Sequence, residues 1–438
     1  MTQLNSVSAS LAELPVRRRF GQLAAVRSGS VDVVGLGGEA RVGDLIHIGD
    51  GEAPSGEIVA LDRTSARAMT FQDSTGLALH TPVALQPAPA LRPTSAWQGR
   101  IIDAFGQPLD GRPLPRGQDN ADLRALPPPA TGRRSLGDRL GTGIAAIDTM
   151  LPLVKGQRIG VFAGSGVGKS SLLAELARKT PADRVVLALI GERGRELRHF
   201  TDQVLGEAGL ARSIVVAATS DQSPLIKRRA GWTAMAVAEA LRDTGDDVLL
   251  LVDSLTRMAE AHREVALTAG EPASLRAYPP STGGMIAALT ERAGPGGAGQ
   301  GDITAVFSVL VAGSDMDEPV ADMTRGVLDG HIVLDREIAE RGRYPAIDVR
   351  RSVSRSLPQA ASADENTLIR KARQTLATYE AAYPMVQAGL YVPGSDAAID
   401  RALEIWPRLD AFFSQIGEAT PATAFAALEM CVNPEKGE

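Results

Sequence analysis

Between about residues 159 and 311 the apolar positions fall in short, near-continuous runs, at 159–163, 185–190, 213–217, 248–252 and 303–311. Runs of Val, Ile, Leu and Ala this dense are what strands need when a parallel sheet buries both of their faces. Stretches of helical periodicity separate them, at 169–179, 195–208, 224–243 and 254–268. The region therefore predicts an α/β core of alternating strands and helices. The flanks read differently. From Phe20 to about Leu91, short alternating stretches (Val31–Val34, Leu45–Ile48, Gly56–Leu61, Val83–Leu85) are divided by Gly, Asp and Ser turns, which predicts a small β-barrel. Beyond about Leu357 only helical patterns remain, at 365–387 and 396–416, broken by Pro384, Pro393 and Pro407. Pro-rich segments at 87–93 and 113–129 read as linkers or surface crossings. Ahead of the barrel, Leu4, Val7, Leu11 and Leu14 recur every three to four residues, a pattern open to two readings: a short partner-binding helix or a frayed tail. The expected division is 1–20 tail or docking helix, 21–94 barrel, 95–358 α/β domain and 359–438 helical domain.

Composition narrows the class. A chain of 438 residues is too long for one ordinary core, and 44% hydrophobic with 22% charged residues is the balance of a soluble globular protein. No apolar run approaches the roughly 20 residues needed to span a bilayer, and the polar, Ser-rich start lacks the apolar stretch of a secretory signal. One cysteine, Cys431, excludes an internal disulfide and fits a reducing, cytoplasmic setting. A net charge of −6 argues against nucleic acid as the main ligand, and none of the five histidines stand at metal-ligand spacing.

The chemistry centres on Ala163-Gly164-Ser165-Gly166-Val167-Gly168-Lys169-Ser170, which follows the apolar run Ile159–Phe162 and precedes a helical pattern opening at Ser171. Strand, glycine-rich loop and helix start form the context of a phosphate-binding loop: backbone N–H groups converge on anionic oxygens and the helix contributes its positive end. Lys169 would reach the outer phosphates of ATP and the Ser170 hydroxyl would ligate Mg²⁺. Two apolar strands end in carboxylates. Val248–Val252 runs into Asp253, which could hold the Mg²⁺ water shell or simply cap the next helix. Val185–Ile190 runs through Gly191 into Glu192, placed to polarise a water, with Arg193 beside it to orient a phosphate; the alternative is a charged loop of ion pairs. Farther on, Tyr344 could stack on adenine, and Arg355 could reach a neighbour's γ-phosphate or stay solvated.

These motifs, with Gly141–Ile144, Ala146–Asp148, Gly156–Phe162, Ile190–Glu196, Leu251–Arg257, Tyr278–Ser281, Leu328–Arg336, Tyr344–Asp348 and Ser352–Arg355, resemble the type III protein-export ATPases, relatives of the catalytic subunits of rotary ATP synthases. The resemblance runs over about residues 95 to 415, and Ala163 in the first loop position is usual in that family. It implies a RecA-like P-loop ATPase core with a small N-terminal barrel and a C-terminal helical domain. It also implies Glu192 as general base, Tyr344 against adenine and Arg355 as a finger in the adjacent subunit's site. The stretches Glu318–Asp322 and Glu337–Tyr344 are more similar to the flagellar branch than to the virulence branch. Implied partners are five identical copies in a homohexamer, a peripheral stator-like regulator, a coiled-coil stalk, the export gate and chaperone–substrate complexes. The implied location is the cytoplasm, peripherally at the inner-membrane export apparatus. Tyr278–Ser281 would be a pore-facing loop, and Thr420–Glu438 falls outside the resemblance.

Overall fold

The structure, a computed structural model, describes residues 20–50, 53–311, 315–417 and 420–433. The segment with Leu4, Val7, Leu11 and Leu14, read as a frayed tail or a docking helix, lies outside them. The chain divides into two compact units.

In the first, six strands close a barrel: β1 (Phe20–Arg27), β2 (Ser30–Val34), β3 (Leu45–Ile48), β4 (Gly56–Leu61), β5 (Ser65–Thr70) and β6 (Pro82–Gln86). Their order is β1-β2-β5-β4-β3-β6, with β6 pairing antiparallel to β1. Inward-facing Leu23, Val31, Val33, Ile46, Ile58, Ala68 and Val83 fill it, so no edge is left open. Two of these strands lack the alternation that revealed the others. β1 carries an irregularity between Leu23 and Ala25 that shifts its pattern by a residue, and β5 points only alanines, Ala66 and Ala68, into the barrel core. Residues 221–228 and 260–282 belong to this unit, and Val59 and Met69 pack on Leu225 and Val265.

The second unit is built on an eight-stranded sheet: β7 (Arg100–Ile102), β10 (Arg158–Ala163), β11 (Arg184–Glu192), β12 (Ser213–Thr219), β13 (Val248–Asp253), β14 (Ile303–Leu310), β15 (Gly330–Leu334) and β16 (Ile347–Ser354). The remaining pair, β8 (Arg139–Leu140) and β9 (Leu153–Val154), forms a separate short ladder. The order in the large sheet is β16-β15-β10-β14-β13-β11-β12-β7. All neighbours are parallel except β16, which runs antiparallel to β15. The five apolar runs of the sequence are the five central strands, as burial on both faces demands.

The helices correct the sequence reading in three places. The stretch expected as one helix at 195–208 is Gly194–His199, a π-helical turn Phe200–Leu205, and Gly206–Ala211. Pro384 and Pro407 do not break helices: they lie inside Ala363–Gln387 and Ala397–Phe413. An interior proline costs about 3 kcal/mol, whereas each large apolar side chain buried returns roughly 1.5–3 kcal/mol. Ile405, Leu409, Phe412 and Phe413 are all buried around Pro407, so packing wins. Third, Pro421–Val432 forms a further helix of the expected 359–438 helical region, beyond the two helical patterns read there. Thr420 caps it, and Phe425, Leu428 and Val432 enter the same core cluster as Ile144, Met150, Leu172 and Leu376. Among the described residues, no helix is long and apolar enough to cross a membrane.

Candidate active site

β10 ends at the buried Ala163, and the loop Gly164–Gly168 leads into the helix Lys169–Lys179. Gly166 (φ +77°) and Gly168 (φ +89°) adopt left-handed backbone that a side chain would strain. The first turn of the helix holds no acidic residue, while Arg178 and Lys179 sit in its last turn. The charges thus leave the positive N-terminal end open to an anion. Ser170 and Ser171 are exposed at that end.

Lys169 turns inward. Its ammonium group pairs with the Asp253 carboxylate at the end of β13, and the two side chains are only 9% and 4% exposed. Ser308, on the intervening strand β14, donates from Oγ to the same Asp253 oxygen at 2.7 Å. One β11 neighbour of β13 brings the third ionisable group: Leu189 pairs with Asp253, so Glu192 stands three residues farther along. The ladder between β11 and β12 slips between Ile190 and Glu192, and Gly191 takes φ +74° there. Burial pushes the Glu192 carboxyl above the usual carboxylate range; the Asp253 charge pushes the same way and Lys169 opposes both. A carboxylate with a raised pKa, set beside Lys169 and Asp253, is suited to accept a proton.

Tyr344 is brought to this site although it is 181 positions beyond Ala163 in sequence. Its ring lies against Gly168: a Cβ there would stand 3.2 Å from Tyr344 Cδ1. The ring is 48% exposed, leaving a free aromatic face. Arg193 is at the rim, 75% exposed and paired with Glu196 at 3.3 Å. Arg355 is not brought together with the rest. β15 starts at Gly330 and reaches Leu334 beside Ala163, and β16 runs back from Ile347 to Ser354 beside Gly330. Arg355, the next residue, therefore stands at the opposite edge of the sheet from the phosphate loop.

Two residues of the site were given no role in the sequence reading. Ser308 interrupts the apolar run Ala305–Val309, and a lone hydroxyl in a strand buried on both faces needs a buried partner, a usable signal. Arg257 packs its side chain over Gly191, where a Cβ would meet Arg257 Cβ at 3.1 Å; nothing in its spacing marks it.

Residues 143–354 match the ATP synthase alpha/beta family nucleotide-binding domain, and residues 361–429 match the T3SS EscN ATPase C-terminal domain. The flagellum-specific ATP synthase of Caulobacter vibrioides is 43% identical over 422 residues, 94% of this chain and 95% of that one. The assembled ATPase EscN from the type III secretion system of enteropathogenic E. coli superposes with a TM-score of 0.88 at 34% identity, covering 94% of this chain and all of EscN. The chain belongs to the type III protein-export ATPases. Its relatives favour the flagellar branch. The export ATPase uses ATP, and the fold expected from the resemblance is the fold observed: barrel, P-loop core, C-terminal helices. The second match also extends through most of the helix Pro421–Val432, so the family likeness continues past the limit near residue 415. EscN has in addition been solved in complex with its central stalk EscO, with a TM-score of 0.84 at 33% identity over 94% of this chain and all of that one.

Proposed function

We propose that this export ATPase hydrolyses ATP for flagellar protein export as a ring of six identical subunits in which each active site is completed by its neighbour. The register of the main sheet carries this reading. From Arg158 to Ala163, β10 spans about 16 Å at ~3.3 Å per residue, and Arg355 stands at the Arg158 end while the phosphate loop leaves the Ala163 end. An arginine whose backbone stands so far from its own phosphate loop would serve another subunit's. Among the described residues no carboxylate pairs with it.

Within one subunit the N–H groups of 163–171 bind the phosphates, Lys169 leaves Asp253 for the outer phosphates, and Tyr344 takes adenine on its exposed face. The Ser170 hydroxyl and Asp253 carboxylate are hard oxygen donors, and with phosphate oxygens and water they suit Mg²⁺; the ion would neutralise charge developing on the phosphates. Glu192 accepts a proton from the attacking water, Arg193 helps to orient the terminal phosphate, and the neighbour's Arg355 stabilises the transition state. The assembled state and stalk complex of EscN support the ring and a coiled-coil stalk partner. A stator-like regulator, export gate and chaperone–substrate complexes would dock a protein working in the cytoplasm at the inner membrane, with the barrel (21–94), core (95–358) and helical part (359–438) as its working domains.

The test is Mg²⁺-ATPase activity against protein concentration, with sizing of the same samples. Specific activity should climb with assembly and vanish in Glu192→Gln. Full activity per subunit in a demonstrated monomer would refute the shared site, and activity surviving Glu192→Gln would refute the base.

A further inference from the structure

Arg355 follows the last residue of β16, and its backbone is tied to one residue. The Arg355 N–H donates to the Asp329 carbonyl at 2.9 Å. Gln157 Nε2 donates to that carbonyl at 3.2 Å and to Ser354 Oγ at 3.0 Å, and Ser354 Oγ donates to the Pro152 carbonyl at 2.7 Å. The Asp329 side chain is held from the other side. Arg158 donates to it from its backbone N–H (3.0 Å), Nε (3.1 Å) and Nη2 (3.2 Å), while the Asp329 N–H returns to the Arg158 carbonyl at 2.8 Å. A fork of this kind fixes direction as well as distance. Arg158 is the first residue of β10, the strand that ends in the phosphate loop, and its Nη1 also pairs with Glu291 at 2.6 Å. Gly330, next to Asp329, permits the tight crossing: a Cβ there would stand 2.5 Å from the Val353 carbonyl.

We infer that Asp329, gripped by Arg158, is the positioning residue of the finger, setting where the Arg355 guanidinium stands relative to the neighbouring site. The inference rests on the reading that Arg355 acts in the adjacent subunit. Asp329 touches no substrate; it acts through the Arg355 backbone. Its loss should therefore lower turnover without weakening nucleotide binding to the subunit that carries the change.

The experiment mixes variants. Asp329→Ala, with the near-isosteric Asp329→Asn in case the first does not fold, should lower kcat about 10- to 100-fold, as an ångström-scale misplacement does. KM and the affinity for a fluorescent ATP analogue should stay within about twofold. Mixed one to one with Glu192→Gln, either variant should recover about a quarter of the wild-type rate, because half of the pockets keep Glu192 and half of those face a well-placed finger. Arg355→Ala mixed with Glu192→Gln is the control. Failure of the control to recover overturns the shared site and the inference with it. Recovery in the control, with an Asp329 variant that keeps its kcat or does not recover on mixing, overturns the positioning role alone. Arg158→Ala should show the same loss, and the double variant no more than either single one; additive losses would mean that the two do not act as a unit.

Discussion

Lys169 is paired with Asp253, and Asp253→Asn tests that pairing. The amide keeps the shape of the side chain and an oxygen for the Ser308 hydroxyl, which sits at 2.7 Å; only the charge is lost. With 9% and 4% exposure this is a buried ion pair, and removing one partner from such a pair costs about 3–5 kcal/mol, mainly because the other charge is left uncompensated. Here Glu192 is close enough for its titration to feel Lys169, and the amide oxygen still accepts from the ammonium, so the cost should fall to about 2–3 kcal/mol. At ~2–4 °C per kcal/mol this lowers the melting temperature by about 4–12 °C. The assay is thermal unfolding followed by circular dichroism at fixed subunit concentration, with and without saturating ATP. ATP brings phosphate oxygens to Lys169 and should stabilise the variant more than the wild type, narrowing the gap. An unchanged melting temperature without nucleotide, or an equal shift with it, would refute the reasoning.

With Glu192 as the proposed base, kcat should fall as pH drops through its raised pKa, with the acidic limb above the ordinary value of about 4.3; an acidic limb at or below that value would be the contrary result. Gly168→Ala puts a side chain on left-handed backbone and against the Tyr344 ring, a local cost of ~1–2 kcal/mol. Affinity for a fluorescent ATP analogue should drop about tenfold, and the melting temperature should fall by about 2–8 °C at ~2–4 °C per kcal/mol. Phe425→Ala should destabilise by about 3–5 kcal/mol in denaturant unfolding, since the ring is buried and Arg139 lies over it at 5.1 Å; a near-neutral result would mean that the last helix is not part of the core.

What could be read from the sequence was chemistry attached to strong local signals. Glycine spacing marks Gly166 and Gly168 because the loop needs their backbone freedom. Asp253 and Glu192 stand out because each ends an apolar run. Less visible was everything set by long-range pairing. β16 mixes buried Val349 with exposed Arg350 and Arg351, so its sequence has no clean period. The helix Pro421–Val432 is apolar on most sides and short, hence without an amphipathic stripe. Tyr344 and Arg355 were both marked as candidates, but their separation to opposite edges depends on one antiparallel strand, a topological fact with no local signature. The prolines misled because their cost is local and the burial that outweighs it is not.

That antiparallel strand has a mechanical consequence. Tyr344 precedes β16 and Arg355 follows it, so in the proposed ring one short, hydrogen-bonded rod would have its own subunit's adenine platform near one end and, at the other, the finger that serves the adjacent subunit. A rod cannot be tilted at one end only. In the proposed ring, a shift of Tyr344 on nucleotide entry would reach the adjacent site through β16, which would couple the six sites in relay.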